Sequence, residues 1–308
     1  MIRTSVLGLR DMSPKKIQEI LDTAHLMRPI MDSGHKRITY LQGKNIVTLF
    51  YESSTRTRVS FELAAKYLGA TTTNISVATS SVSKGETLID TVKTIQAMGV
   101  DIVIMRHPMS GATSLLSKNI DGKVINAGDG INEHPSQALL DLYTIQQHKG
   151  KIKGLNIVIA GDILHSRVAR SNIWGMVKLG ANVIVSGPST VIPKGIKKMG
   201  VEVSHSIKEA IRDADVIMAL RIQRERISSS MFPSLREYQY YFGLDEEKLK
   251  LAKPDTLIMH PGPVNRGVEL TSNIIDGENS LIQEQITNGV AVRMALLYLM
   301  TREGISNE

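Results

Sequence analysis

The feature that most constrains this chain is the hexapeptide Ser53-Ser54-Thr55-Arg56-Thr57-Arg58, set between an apolar run, Asn45–Tyr51, and the stretch Val59–Gly69. The run before it reads as a buried strand. The stretch after it spaces Val59, Phe61, Leu63, Ala64 and Leu68 as a helix would, with Gly69 past its end. Ser and Thr at the junction are cap residues, expected to satisfy free N–H groups of the first turn. The arginines fit less well, because a helix N-terminus already carries partial positive charge and an exposed cation there costs about 0.3–1 kcal/mol. An anion accepting from backbone N–H, hydroxyl and guanidinium together resolves the conflict, so the hexapeptide reads as a phosphate cradle. The alternative is a solvated, well-capped helix start whose arginines pair with Glu52 or Glu62.

The same strand–helix rhythm runs along the chain. Ser13-Pro14 starts a helix; Thr71–Val77 reads as a strand, Leu88–Met98 as a helix, Asp101–Met105 and Val124–Ala127 as strands. Ala78–Gly85 is small and polar and reads as a loop. A helix begins at His134-Pro135 and runs to Lys149-Gly150. The second half repeats the pattern, with strands at Leu155–Ala160, Asn182–Ser186, Val201–Ser204, Val216–Leu220 and Thr256–Met259, and helices at Ser166–Leu179 and Ile207–Arg212. Gln223–Phe242 is polar with poor periodicity and reads as a long loop with short helices. Ile286–Met300 is a strongly apolar helix. This alternation predicts an α/β protein with parallel sheets. Two domains are expected from 308 residues at about 150 per domain, with the boundary in the Gly- and Lys-rich Lys149–Gly154.

Cysteine is absent, which excludes disulfides, thiolate zinc sites and a cysteine nucleophile within this chain. No apolar run approaches the ~20 residues that span a bilayer, so no membrane partner is expected and the chain reads as cytoplasmic. The net charge is +7, but with four Phe and one Trp there is little provision for base stacking. Small anionic substrates account for the charge better than nucleic acid.

Ligands of open α/β sheets bind beyond the carboxyl ends of the strands. Six expected strand ends carry polar, mostly basic groups: Ser54–Arg58, Arg106-His107, His134–Gln137, Asp162–Arg170, Arg221–Arg224 and His260-Pro261-Gly262-Pro263. Six together point to an active site in a cleft between two α/β domains. Taken singly, each has a plainer reading: His134 as a capping histidine, Arg106 as a partner of Asp101 or Asp129, Lys84 as a surface lysine, and Arg221 and Arg224 as part of a solvated loop, where Arg224 and Arg226 are left. Gly161-Asp162 after a strand hints at a dinucleotide fold, but Gly-x-Gly-x-x-Gly is missing.

Ser-x-Thr-Arg-Thr-Arg followed by Val-Ser-Phe-Glu resembles the carbamoyl-phosphate signature of the aspartate and ornithine carbamoyltransferase family. Lys-Gly-Glu-Thr at 84–87, Met-Arg-His-Pro at 105–108, His-Pro-x-Gln at 134–137, Gly-Asp with Ser-Arg at 161–167, Arg-x-Gln at 221–223 and His-Pro-x-Pro at 260–263 extend the resemblance over residues 45 to 270, in the family's order. It implies transfer of a carbamoyl group from carbamoyl phosphate to an amino acid, with no metal or organic cofactor. The ornithine branch's Asp-x-x-x-Ser-Met-Gly and His-Cys-Leu-Pro segments are missing, so the aspartate branch, and with it pyrimidine biosynthesis, is implied.

By that resemblance Ser54, Thr55, Arg56 and Thr57 bind phosphate, Arg106 and His134 bind and polarise the carbamoyl group, Gln137 meets its amide, and the backbone at Gly262 and Pro263 completes the site. Many relatives have Leu at 262, which a backbone contact is expected to tolerate. Arg167, Arg221 and Gln223 match positions that bind the aspartate carboxylates, as suits a planar fork. Lys84 and Ser80 match a loop that reaches a neighbouring subunit's site, which implies a homotrimer with shared sites. A separate zinc-bearing regulatory chain is left open as a further partner. The implied domains are 1–149 for carbamoyl phosphate, with the C-terminal helix 284–308 packing back on it, and 150–283 for aspartate. A non-catalytic phosphate- or nucleic-acid-binding module would explain the charge, but not polar groups at six strand ends.

Overall fold

The computed structural model describes residues 5–33, 37–76, 86–222 and 234–302. The chain forms two compact units, Met1–Leu140 with Thr287–Glu308, and Asp141–Ile286.

The first unit is built on β1 (Asn45–Phe50), β2 (Thr71–Ser76), β3 (Ile102–His107) and β4 (Lys123–Asp129), all parallel, in the order β2-β1-β3-β4. Ile102 to Met105 are each 2% exposed or less, as befits a central parallel strand covered on both faces. Leu49, Val103, Met105 and Val124 share a core with Val92 of α3 (Leu88–Ala97) and with Ala112 and Leu116 of α4 (Ala112–Asn119). The remaining helices here are α1 (Pro14–Asp32), which starts at Ser13-Pro14 as expected, and α2 (Thr55–Tyr67), with Gly69 at φ +83° just past its end. The eight-residue α4 gives no sequence signal: its N-cap is Gly111 at φ +86°, and the Gly111 N–H is taken by Asp129 Oδ2, 2.7 Å away across the sheet end. The chain leaves this unit within α5 (Pro135–Lys149) and returns within α11 (Ile282–Thr301). In the returning part, the Arg293 guanidinium lies 5.0 Å above the Phe61 ring.

The second unit holds β5 (Asn156–Ala160), β6 (Asn182–Ser186), β7 (Glu202–Ser204), β8 (Val216–Ala219) and β9 (Leu257–Met259), again all parallel, in the order β7-β6-β5-β8-β9. Val158, Ala160, Ile217, Ala219 and Ile258 pack with Ile207 and Ala210 of α7 (Ile207–Ala210) and with Leu244, Leu270 and Ile274. The helix α6 (Arg167–Lys178) follows β5. Most of the expected polar loop after β8 lies outside the described residues, but its last part is a helix, α8 (Leu235–Phe242). Ser234 caps it, accepting from the Glu237 N–H at 3.1 Å. Ser-x-x-Glu is a start signal that outweighed the weak apolar periodicity. Short helices α9 (Glu246–Leu249) and α10 (Ser272–Ile275) follow. No helix among the described residues is long and apolar enough to cross a membrane.

Candidate active site

In the first unit the candidate residues gather at the carboxyl ends of three neighbouring strands. β1 leads through Glu52 and Ser54 to α2. Ser54 is the N-cap of α2 by backbone, at φ −160° and ψ 94°, yet its side chain makes no capping bond. This corrects the expectation that the junction hydroxyls would cap the helix. The Ser54 hydroxyl instead accepts from Arg106 Nη1 at 3.4 Å, and Arg106 Nε donates to Glu52 Oε2 at 3.0 Å. Arg106 therefore pairs with neither Asp101 nor Asp129: Asp101 is taken by Lys44 at 2.9 Å. Thr57 is buried in the first turn, while Thr55 and Arg56 are exposed at it. Arg58 stands 4.0 Å from Glu62, so for that arginine the plainer reading holds.

Arg106 lies at an irregularity in the sheet. Met105 is level with Asn126 and His107 with Asp129, so β4 runs through Ala127 and Gly128 where β3 has Arg106 alone. Such bulges re-aim a side chain and end the pairing. Next to it, the His107 ring packs on Tyr51 at 4.6 Å between centroids, and burial holds its pKa below the usual histidine range.

His134 follows β4. It is buried, and its carbonyl accepts the N–H of Gln137 at 3.0 Å and of Ala138 at 3.2 Å, which makes it the backbone N-cap of α5 with Pro135 in the first position. The loop that delivers it hangs on two buried acids. Asp129 accepts the Glu133 N–H at 3.1 Å and Asn126 Nδ2 at 2.7 Å. Glu133 accepts the N–H of Leu9 at 2.6 Å and of Arg10 at 3.1 Å. A Cβ on Gly8 would come within 2.2 Å of Glu133 Oε1, so any larger residue there would displace the carboxylate from these bonds.

In the second unit, three adjacent strands again present the candidates. After β5 come the buried Asp162, whose carboxylate meets His165 Nδ1 at 3.0 Å, and then Arg167 at the first position of α6. Ser166 caps α6, accepting from the Ala169 N–H at 3.0 Å, and Arg167 is 5% exposed. Arg221 follows β8 and is partly buried. After β9, the Gly262 N–H donates to His260 Nδ1 at 2.8 Å. Gly262 has φ +64°, so at this position the backbone favours glycine over the leucine that a backbone contact alone would tolerate. A buried polar chain supports this turn: Gln285 Oε1 accepts the His260 N–H at 3.0 Å, Gln285 Nε2 donates to Asp141 Oδ1 at 2.7 Å, and Asn172 of α6 donates to Asp141 Oδ2 at 2.7 Å. Lys84, Ser80 and Gln223 lie outside the described residues.

Sequence reading missed Glu133, Asp141 and Glu269, and gave Glu52 and Asp129 only as alternative partners of arginines. The available signal was an acid set among apolar or site-bearing neighbours, as in Val268-Glu269-Leu270 and Glu133-His134. Chemically, the first unit offers a guanidinium, hydroxyls and helix-start N–H groups to an anion, with a buried imidazole in the loop after the next strand. The second offers guanidinium forks.

Residues 4–147 match the family described as aspartate/ornithine carbamoyltransferase, carbamoyl-P binding domain, and residues 153–300 match its Asp/Orn binding domain. A relative from Ruminiclostridium cellulolyticum, the aspartate carbamoyltransferase catalytic subunit, is 63% identical over 98% of this chain and 97% of its own. Aspartate transcarbamoylase from Trypanosoma cruzi, crystallised with carbamoyl phosphate and aspartate, superposes with a TM-score of 0.86 at 30% identity, covering 96% of each chain. Ornithine carbamoyltransferase from Pyrococcus furiosus superposes equally well, at TM-score 0.87 and 32% identity over 98% of each chain. Fold similarity alone thus spans both branches, while the high sequence identity falls in one.

Proposed function

The chain belongs to the aspartate/ornithine carbamoyltransferase family, and within it we infer an aspartate carbamoyltransferase, which moves the carbamoyl group of carbamoyl phosphate to the amino group of L-aspartate. One observation carries the phosphate half of this reading: the Arg106 guanidinium meets the Ser54 hydroxyl at a helix start whose N–H groups Ser54 does not cap. A cation, a hydroxyl and helix-start amides at one point suit a phosphate dianion. Arg167 and Arg221 carry the other half, since they suit the two carboxylates of aspartate and oppose the ammonium of ornithine.

In the proposed reaction the uncharged amine attacks the carbonyl carbon. The C–N bond forms, the carbonyl oxygen gains negative charge, and the C–O bond to phosphorus-bearing oxygen then breaks, phosphate leaving with the electron pair and taking up the proton that the nitrogen loses. Ser54, Thr55, Arg56 and Thr57 hold the phosphate. Arg106 and His134 stabilise the developing oxyanion, Gln137 orients the carbamoyl amide, and Gly262 and Pro263 contribute backbone contacts. Arg167, Arg221 and Gln223 hold the aspartate. Orientation and a preset electrostatic field supply the rate.

Phosphate release from carbamoyl phosphate, followed with each amino acid in turn, tests this. Aspartate should be preferred over ornithine by at least ~10³ in kcat/KM, because a cationic side chain against arginines leaves charge unpaired. Equal turnover would overturn the assignment.

The proposed assembly is a cytoplasmic homotrimer in which Lys84 serves the neighbouring subunit's site. The description of relatives as catalytic subunits supports an assembly of more than one chain. Mixing Lys84→Ala and His134→Ala chains after dissociation should restore a substantial fraction of wild-type activity. If Lys84 serves its own chain, the mixture stays as inactive as its parents.

A further inference from the structure

Ile222 separates Arg221 from Gln223, the two residues proposed to meet aspartate. It is 1% exposed, and both of its backbone groups are taken by one pair of side chains. Its N–H donates to Glu269 Oε1 at 2.7 Å, and its carbonyl accepts from Asn265 Nδ2 at 3.3 Å. The pair is closed on itself: Asn265 Nδ2 donates to Glu269 Oε1 at 2.6 Å, and the Asn265 N–H donates to Glu269 Oε2 at 2.8 Å. Asn265 follows the Gly262-Pro263 turn, and the Glu269 carbonyl in turn accepts the Leu244 N–H at 2.9 Å.

A buried carboxylate is an unfavourable way to fill space, and apolar residues of similar volume are often as stable or more so. Burial indeed pushes the Glu269 pKa up, while the bonds from Ile222 and Asn265 oppose that rise. What the carboxylate supplies is a fixed backbone. The Ile222 N–H belongs to the peptide plane shared with Arg221, and the Ile222 carbonyl to the plane shared with residue 223. Holding the plane that Ile222 shares with Arg221 restricts the direction in which the Arg221 side chain leaves the chain.

We propose that Glu269 is a positioning residue for aspartate recognition, acting through the backbone of Ile222 on Arg221. This rests on Arg221 being an aspartate ligand. The test compares full-length wild type, Arg221→Ala, Glu269→Gln and the double variant, with aspartate and carbamoyl phosphate varied separately. Glu269→Gln keeps the volume but sets an amide N–H against the N–H of Asn265 or Ile222. It should raise KM for aspartate at least about tenfold and lower kcat less than about threefold. The double variant should be no worse in KM for aspartate than Arg221→Ala, within about twofold, because both changes disable one contact. Effects that multiply, or a Glu269→Gln KM within about twofold of wild type, overturn the proposal and leave Arg221 in its role. A wild-type KM for aspartate in Arg221→Ala removes that role, and the proposal with it. Should Glu269→Gln fail to fold, Asn265→Ala enters the same cycle under the same criteria, since it releases the Ile222 carbonyl and leaves the carboxylate in place.

Discussion

At the end of β3, Arg106 is held by Glu52 and Ser54, and the Arg106 and Glu52 side chains are 17% and 19% exposed. At the end of β8, by contrast, the chain is held by Glu269 at 1% exposure, which grips backbone N–H groups and, among the described residues, no cation. Both units are parallel sheets with candidate residues at neighbouring strand ends, so the difference lies in what keeps those ends in place. A partly exposed ion pair is worth about 0–1 kcal/mol and can be exchanged for a ligand at little cost. A buried acceptor whose donors would otherwise be orphaned is worth about 1–3 kcal/mol and has no such substitute. The end of β3 thus presents groups that can rearrange around an incoming anion, and the end of β8 presents a preset frame.

The largest expected effect tests the exchangeable half. Arg106→Ala should lower kcat/KM by about 10²–10³, the loss of one charged donor to a developing oxyanion. Arg106→Lys should fall between, since it keeps the charge and loses the fork. An Arg106→Ala enzyme retaining more than about a tenth of wild-type kcat/KM would remove this arginine from the chemistry.

The preset half should fail differently, through stability. Asp141 is fully buried and joins Asn172 to Gln285. Asp141→Ala takes away the acceptor of Gln285 Nε2 and leaves Asn172 Nδ2 only the Val168 carbonyl, at about 1–3 kcal/mol for each lost acceptor before relaxation, and at about 2–4 °C per kcal/mol the melting temperature should drop by several degrees. Thermal unfolding checks this, and an unchanged Tm would mean that the second unit's acids do not form its frame.

The same contrast explains what could be read in the sequence. The central strands of both sheets were legible because buried parallel strands are continuous apolar runs, the edge strand β2 because it is β-branched, and the cradle because Ser54 to Arg58 are contiguous. The inverted role of Ser54 was not, because whether a hydroxyl caps its own helix or accepts from Arg106 depends on a residue 52 positions away. Glu133 and Glu269 were invisible for the same reason: each bonds backbone N–H groups remote in the chain, and a backbone amide leaves no mark in the side-chain pattern. Gly111 at the start of α4 has no capping side chain, and the acid that binds its N–H is 18 residues on.

The smallest expected effect concerns Glu52, and its sign is the informative part. If the Arg106–Glu52 pair is exchangeable, the carboxylate competes with any anion for the guanidinium and repels it. Glu52→Gln removes that repulsion, while the amide oxygen can still accept from Arg106 Nε and keep the fork in orientation. Inorganic phosphate should then inhibit more strongly, by about two- to fivefold, the range set by a partly exposed charge in a high effective dielectric. Raising the salt concentration should shrink the gap between variant and wild type, because water and ions reach both partners. Glu52→Ala separates charge from orientation: it also removes the repulsion but leaves Nε without its acceptor, so phosphate should gain less and kcat/KM should fall further than in the Gln variant. Weaker phosphate inhibition in Glu52→Gln would mean that the carboxylate holds Arg106 in place as rigidly as Glu269 holds Ile222, and the distinction between the two strand ends would be lost.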